Sequence, residues 1–317
     1  MAITKNKQSD ETIKKMAFAA FPQKEVESVQ ELTEGMCNAA YKVNFTDKSS
    51  SVLKIASENG NGLMSNEVNM MDAEVKAMRL VYDSGLVKVA KVQYYDTTKK
   101  YCNGNYFFME VLDGDNYFWI KDNFTEEENA AIHNEIGQIE RKISFIKGKK
   151  FGLLGDSVCY DSLYEFVYQL IFNVLSDAKK RDIDIGVDSD EILDKLYLDK
   201  TVFDEVKEPS LVHWDMWEGN VFVKEKHVLG IIDWERAMWG EAFMDDRFRR
   251  HTRNDDFLRG YGKTEFTKEE KRRICWYDVL LYLTMMTEGA YREYEDDSQY
   301  QWVKPFFEKA WNEIEKE

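Results

Sequence analysis

Residues 211–225 read LVHWDMWEGNVFVKE and residues 230–235 read GIIDWE, and this pair of segments decides how the remainder of the chain is read. His213, Asp215 and Asn220 stand in the spacing H-x-D-x-x-x-x-N. In metal-assisted phosphoryl transfer, a loop of that form places its Asp at the acceptor hydroxyl and its Asn on a magnesium ion. A second carboxylate must then hold the metal against the nucleotide phosphates, and Asp233 stands where it is needed. Between Asn220 and Asp233, two apolar runs flank a polar tip at 225–227, the pattern of a β-hairpin, although without the Asn-Gly or Asp-Gly pair. A hairpin returns the chain alongside itself, with neighbouring strands about 4.8 Å apart. Its two ends, Asn220 and Asp233, are therefore expected side by side. One carboxylate, one amide oxygen and phosphate oxygens suffice for Mg²⁺, a hard cation that keeps several waters. A Ser-His-Asp hydrolase is excluded because no G-x-S-x-G occurs, so His213 is read as support for the loop.

Phosphoryl transfer from a nucleotide needs further parts, and the N-terminal third offers candidates for each. LTEGMCNAAYKVNF (32–45) reads as strand, turn, strand, with Gly35 at the turn and Asn38 beyond it. Backbone N–H groups in such a turn can meet phosphate oxygens. SSVLKIAS (50–57) reads as a strand in which Lys54 lies on the face opposite Leu53 and Ile55, either toward solvent or, given its interval after the Gly35 turn, where its ammonium neutralises the α- and β-phosphates. Residues 72–84 read as a helix stopped by Gly85, with Met71, Val75, Met78 and Tyr82 as its core stripe. Glu74 flanks that stripe and is the expected partner of Lys54, with Glu67 as its rival. YFFMEVLDGDNY (106–117) starts as a buried strand and turns polar, suiting a hinge whose Glu110 carbonyl and Leu112 amide contact a nucleobase. Neither GxxxxGK[ST] nor GxGxxG is present, which removes P-loop and dinucleotide-binding readings.

With these segments in place, the chain resembles the aminoglycoside phosphotransferase and choline kinase-like family, the small-molecule branch of the protein-kinase-like fold. EGMCNAAYKV, VLKI, AEVKAMRLVYDSGL, YFFMEVLDG, LVHWDMWEGNVFV and VLGIIDWERAMWGE carry the resemblance, from residue 32 to about 246. It implies a two-lobed α+β protein, with a small antiparallel-sheet N-lobe over residues 1–109 and a hinge and mainly helical C-lobe over 110–317. It implies ATP or GTP as donor, Mg²⁺, Asp215 as base, Asn220 and Asp233 as metal ligands, and Lys54 on the phosphates paired with Glu74. Glu34-Gly35 stands where family members often show two glycines. The acceptor is read as a small molecule, an aminoglycoside-type antibiotic before choline, homoserine or a sugar derivative. A nucleotide-binding regulator without catalysis is the rival from another class.

Composition bounds the rest. The chain has 317 residues, 44% hydrophobic, enough for two lobes with separate cores. Its net charge of −16 would repel nucleic acid and anionic membranes and favour encounter with a cationic small molecule. No apolar run reaches the roughly 18 residues of a membrane span, and the polar N-terminus carries no signal core. Cys37, Cys102, Cys159 and Cys275 are scattered, which fits reduced cytoplasmic thiols better than disulfides or zinc. Four of the eight tryptophans (Trp214, Trp217, Trp234 and Trp239) crowd the catalytic stretch, where core packing is the expectation and stacking on the acceptor the alternative.

Overall fold

The computed structural model describes residues 5–33, 38–57 and 62–316. The first element is α1 (Asp10–Ala20), capped by Ser9, whose side chain accepts the Thr12 N–H. Five antiparallel strands follow, β1 (Val26–Leu32), β2 (Ala39–Phe45), β3 (Ser50–Ile55), β4 (Val92–Asp96) and β5 (Tyr106–Glu110), with α2 (Met70–Ser84) inserted before β4. Their order across the sheet is β1-β2-β3-β5-β4.

Alternation of side chains sorts the two faces of this sheet. Ala39, Tyr41, Val43 and Phe45 of β2 join Leu53, Ile55, Tyr106 and Phe108 under α1, where Ile13 and Met16 complete a core. The opposite face, including Phe107 and Met109, packs toward α2 and belongs to a second core shared with the C-terminal part of the chain. Lys54 pairs across the sheet with Phe107 and so faces α2. The helix buries Met71, Ala73, Glu74, Val75, Ala77, Met78 and Val81. Tyr82, expected on that stripe, is 45% exposed, and Val81 takes its place. Gly85 ends the helix in the left-handed region (φ 64°), where a residue without Cβ carries no penalty.

After β5 the chain leaves the sheet and pairs β6 (Asp115–Asn116) with a distant hairpin. Then come α3 (Tyr117–Ile120), α4 (Glu126–Ile143), β7 (Gly152–Leu153), α5 (Leu163–Lys180) and α6 (Ser189–Leu198). Capping boxes start α4 at Thr125 and α5 at Ser162. β8 (Ser210–Val212) leads into the loop from His213 to Asn220, and β9 (Val221–Lys224) with β10 (His227–Ile231) forms the expected hairpin. Its two-residue tip, Glu225 and Lys226, has both φ angles positive (52° and 67°). That is a turn of the type I′ hand, adopted here without glycine. β11 (Met238–Gly240) lies between β7 and β8. α7 (Asp255–Tyr261), α8 (Lys268–Tyr291) and α9 (Ser298–Lys316) complete a largely helical lobe. α8 buries residues on all sides, among them Trp276, Leu280 and Leu283, as a helix at the centre of a lobe must. The result is an α+β, two-lobed, protein-kinase-like architecture with the cleft between sheet and helices.

Candidate active site

The hairpin brings its ends together as its sequence requires. Val221 faces Ile231, and the Ile232 N–H donates to the Asn220 carbonyl at 3.0 Å, so Asp233 follows directly beside Asn220. On the preceding loop, Asn220 Nδ2 donates to the Asp215 carbonyl at 2.7 Å and to Asp215 Oδ2 at 3.2 Å. Two acceptors on one side fix which end of the amide is nitrogen. The Asn220 side-chain oxygen, Oδ1, is left as a hard donor in the cleft that Asp233 also lines, a pair of groups that fits Mg²⁺. Carboxylate oxygens of Glu74, Asp233 and Glu235 lie within 4.8 Å of one another, a further fit to a cation.

Lys54 closes the arrangement from the other lobe. Its Nζ lies 2.6 Å from Glu74 Oε1 and 2.8 Å from Asp233 Oδ1. Burial works against the ammonium, but Asp233 and Glu74 outweigh it and hold the Lys54 pKa above its ordinary value. Burial likewise pushes the Asp233 carboxyl up, yet the neighbouring Lys54 leaves it below the usual range. For fully buried Glu74 desolvation prevails and the pKa rises. Glu67, the rival, turns elsewhere: Glu67 Oε1 accepts from Arg236 at 2.9 Å and from Arg292 at 2.6 Å.

His213 supports the loop by two hydrogen bonds. Its Nε2 is 2.8 Å from the Ile232 carbonyl and its Nδ1 is 3.2 Å from the Asp215 N–H. A neutral ring protonated on Nε2 satisfies both, and burial lowers its pKa accordingly. The backbone is held in the left-handed region at Trp214 (φ 75°) and Asp233 (φ 65°), a conformation costly for residues with a Cβ. Asp245 compensates at the first of these, accepting the Trp214 N–H at 2.8 Å. Burial raises the Asp215 pKa well above the carboxylate range, and Arg236 opposes that shift.

Lys54, Asn38, Glu110, Leu112, Asp215, Asn220 and Asp233 all line one cleft of 960 Å³. Glu74 lies beneath it, on Lys54. Gly35 lies outside the described residues. Asn38 donates to Glu235 Oε2 at 2.9 Å, joining the start of β2 to the loop after Asp233. Of the tryptophans, Trp214 and Trp217 line the cleft, Trp234 is fully buried on the His213 ring, and Trp239 covers Gly148 away from it. Three residues of the cleft carried no sequence signal of their role. Arg236 lies with its guanidinium 5.3 Å from the Trp214 ring, while Glu288 and Arg292 arrive from α8 and its end.

A sheet lobe bearing a lysine–glutamate pair, closed over the loop of Asp215 and the hairpin that ends at Asp233, is the architecture of a small-molecule phosphotransferase. The chain belongs to the phosphotransferase enzyme family (APH), whose model matches residues 28–245. No curated protein matches it. Among solved structures it is similar to a thermostable mutant of aminoglycoside phosphotransferase APH(4)-Ia in ternary complex with ADP and hygromycin B. The TM-score there is 0.68 at 16% identity, covering 94% of this chain and 97% of that one. It is similar also to a Thermobifida fusca YX-ER1 protein assigned as a fructosamine-3-kinase (TM-score 0.65, 14% identity, 96% and 100% covered). A third is APH(2")-IIa in its streptomycin–ATP ternary complex (0.60, 15%, 98% and 97%). At these identities the likeness carries the fold, and the family carries the class of reaction. Among the described residues, no helix is long and apolar enough to cross a membrane.

Proposed function

We propose that the protein transfers the γ-phosphoryl group of ATP to a hydroxyl of a small molecule, with residues 1–109 as the nucleotide-binding lobe and 110–317 supplying the hinge, the catalytic residues and the acceptor site. The observation that carries this reading is Lys54, whose ammonium bridges Glu74 and Asp233 while Asp215 and Asn220 stand hydrogen-bonded across the same cleft. Asp215 orients the acceptor hydroxyl and takes its proton. Lys54 neutralises the phosphates, and Glu110 and Leu112 offer backbone groups to the base at the hinge. Asn220 and Asp233 would hold Mg²⁺, which supplies charge stabilisation to the phosphoryl group in flight. ATP as donor is supported by the nucleotide complexes of the structural neighbours. An ATP-dependent reaction of this kind belongs in the cytoplasm.

For the acceptor, an aminoglycoside-type antibiotic is the first reading, supported by the named neighbours and by the net charge of −16. A second reading, a metabolic alcohol with few ammonium groups, is favoured by the state of two cleft carboxylates. Glu218 already pairs with Arg247 (3.1 Å), and Glu288 with Arg236 (3.1 Å), so neither stands open to a polycation. Phosphate release from Mg-ATP measured against a panel of aminoglycosides, choline, homoserine and sugars decides between them. Nucleotide binding without transfer to any of these would instead mark a regulator.

A further inference from the structure

Glu67 lies seven residues ahead of Glu74, in the strap that leads into α2. The strap is fastened to the C-lobe along its length. Ser65 gives its N–H and its hydroxyl to the Asp177 carboxylate, each at 2.6 Å, and Asn66 Nδ2 donates to the Leu170 carbonyl at 2.9 Å. Asn69, at the helix start, does not cap α2 but donates to the Gly155 carbonyl at 3.0 Å. Glu67 differs from these fasteners in what it joins. Its Oε1 meets Arg236 at 2.9 Å, three residues beyond Asp233, and its Oε2 accepts the Met64 N–H at 3.0 Å.

Lys54 therefore is gripped by one carboxylate from α2 and one from the Asp233 loop, and Glu67–Arg236 ties the strap entering α2 to that same loop. Resting on the phosphotransferase reading, we infer that Glu67 and Arg236 are positioning residues, a brace that keeps Glu74 and Asp233 in register on Lys54. The pair is nearly enclosed, with side chains 5% and 16% exposed, and is balanced: Arg292 also meets Glu67 (2.6 Å), and Glu288 also meets Arg236 (3.1 Å). Two glutamates and two arginines leave the cluster neutral. A buried ion pair adds little net stability but is costly to break, so its value here is geometric. Displacing a positioned group by 1 Å can cost on the order of 100-fold in rate.

The test uses the full-length chain, Mg²⁺-dependent binding of the non-hydrolysable analogue AMP-PNP, and slow Mg-ATP hydrolysis without acceptor. Glu67→Gln keeps the Arg236 cation and removes the negative charge that makes the brace an ion pair. It is expected to weaken Mg-AMP-PNP binding about 10-fold, to slow hydrolysis by about 10- to 100-fold, and to leave metal-free nucleotide binding unchanged. A role in stability alone would lower the melting temperature and leave the Mg²⁺-dependent part of binding intact. Glu67→Gln within twofold of wild type in both assays overturns the inference. If Glu67→Gln does not fold, Glu67→Asp, shorter by one methylene, takes its place under the same criterion. In a Lys54→Met background the further loss on Glu67→Gln should vanish, and additive losses overturn the inference. Failure of the wild type to bind Mg-AMP-PNP removes the proposed function itself, and this inference falls with it.

Discussion

Asp215 is a carboxylate placed where a carboxylate is unstable. Burial raises its pKa, Asp233, Asp246 and Glu235 add to the rise, and Arg236 resists it. A residue held at such a disadvantage is expected to trade stability for chemistry. Asp215→Asn should therefore lower turnover by about 10²- to 10⁴-fold, the usual share of general base catalysis. Its melting temperature should equal or exceed that of the wild type. A fall in turnover of less than tenfold would remove Asp215 as the base. His133 gives a separate prediction, one remote from phosphate chemistry. Burial lowers its pKa to about 4, and its Nδ1 has no hydrogen-bond partner. Because the folded pKa is depressed, the unfolded chain gains a proton near pH 6.5 that the native state refuses until about pH 4. Stability from this group is therefore full above pH 6.5 and declines as pH falls toward 4, by about 2 kcal/mol at pH 5. His133→Phe keeps an aromatic ring against Tyr117, a T-shaped contact of 5.8 Å. It should remove that part of the slope in urea unfolding at pH 7.5 and pH 5, and an unchanged slope would contradict the assignment.

At the scale of elements, the β9–β10 hairpin does the geometric work, and its tip is not optimised. Glu225 and Lys226 both sit at positive φ, where Asn is far more at ease than Glu. Glu225→Asn is expected to stabilise the protein by about 0.5–1 kcal/mol in chemical denaturation, with nucleotide binding unchanged. A destabilised variant would show that the tip conformation is held by contacts the backbone argument omits. α2 is the complementary case. Its sequence announces a helix and its Gly85 stop, but its N-terminus gives up a side-chain cap because Asn69 is used on the C-lobe. Gly155, which receives that bond, lies under the strap so closely that a Cβ there would stand 2.0 Å from the Val68 carbonyl. The strap and the C-lobe are fitted backbone to backbone.

For the molecule as a whole, the two cores do not coincide with the two lobes. One small core lies between α1 and the outer sheet face. The other runs continuously from α2 and the inner sheet face into α4, α5 and α8. Residues 1–109 alone would keep the packing of α2 on the inner sheet face but lose the larger part of this second core, which residues 110–317 supply. Burying an aliphatic or aromatic side chain contributes about 1.5–3 kcal/mol each. The isolated fragment is accordingly expected to lack a cooperative thermal transition by circular dichroism, whereas the full chain shows one. A fragment that melts cooperatively would restore an independent N-lobe. The sheet lobe is thus built on the other one, which gives a physical reason for the chain to carry a strap between them.

Local periodicity and spacing determined the hairpin, the strand of Lys54, the helix of Glu74 and the loop from His213 to Asn220, because each is fixed by contacts a few residues apart. The same information reached the family, since the order of these segments is its signature. Alternation put Lys54 on the face opposite Leu53 and Ile55 without telling whether that face meets solvent or α2, and spacing placed Tyr82 in the core where Val81 belongs, because a stripe read from spacing does not know the direction of its neighbour. Only tertiary structure decided that Glu74 rather than Glu67 meets Lys54. Both lie on the same flank of the approach to α2, and the choice was made by Arg236 and Arg292, which are 169 and 225 residues away in sequence from Glu67. The charge of the cleft was settled in the same way. Counting acids in the sequence suggests an open anionic surface, whereas the fold spends Glu218 and Glu288 on buried arginines, since carboxylates taken out of water need partners and find them wherever the chain brings cations near.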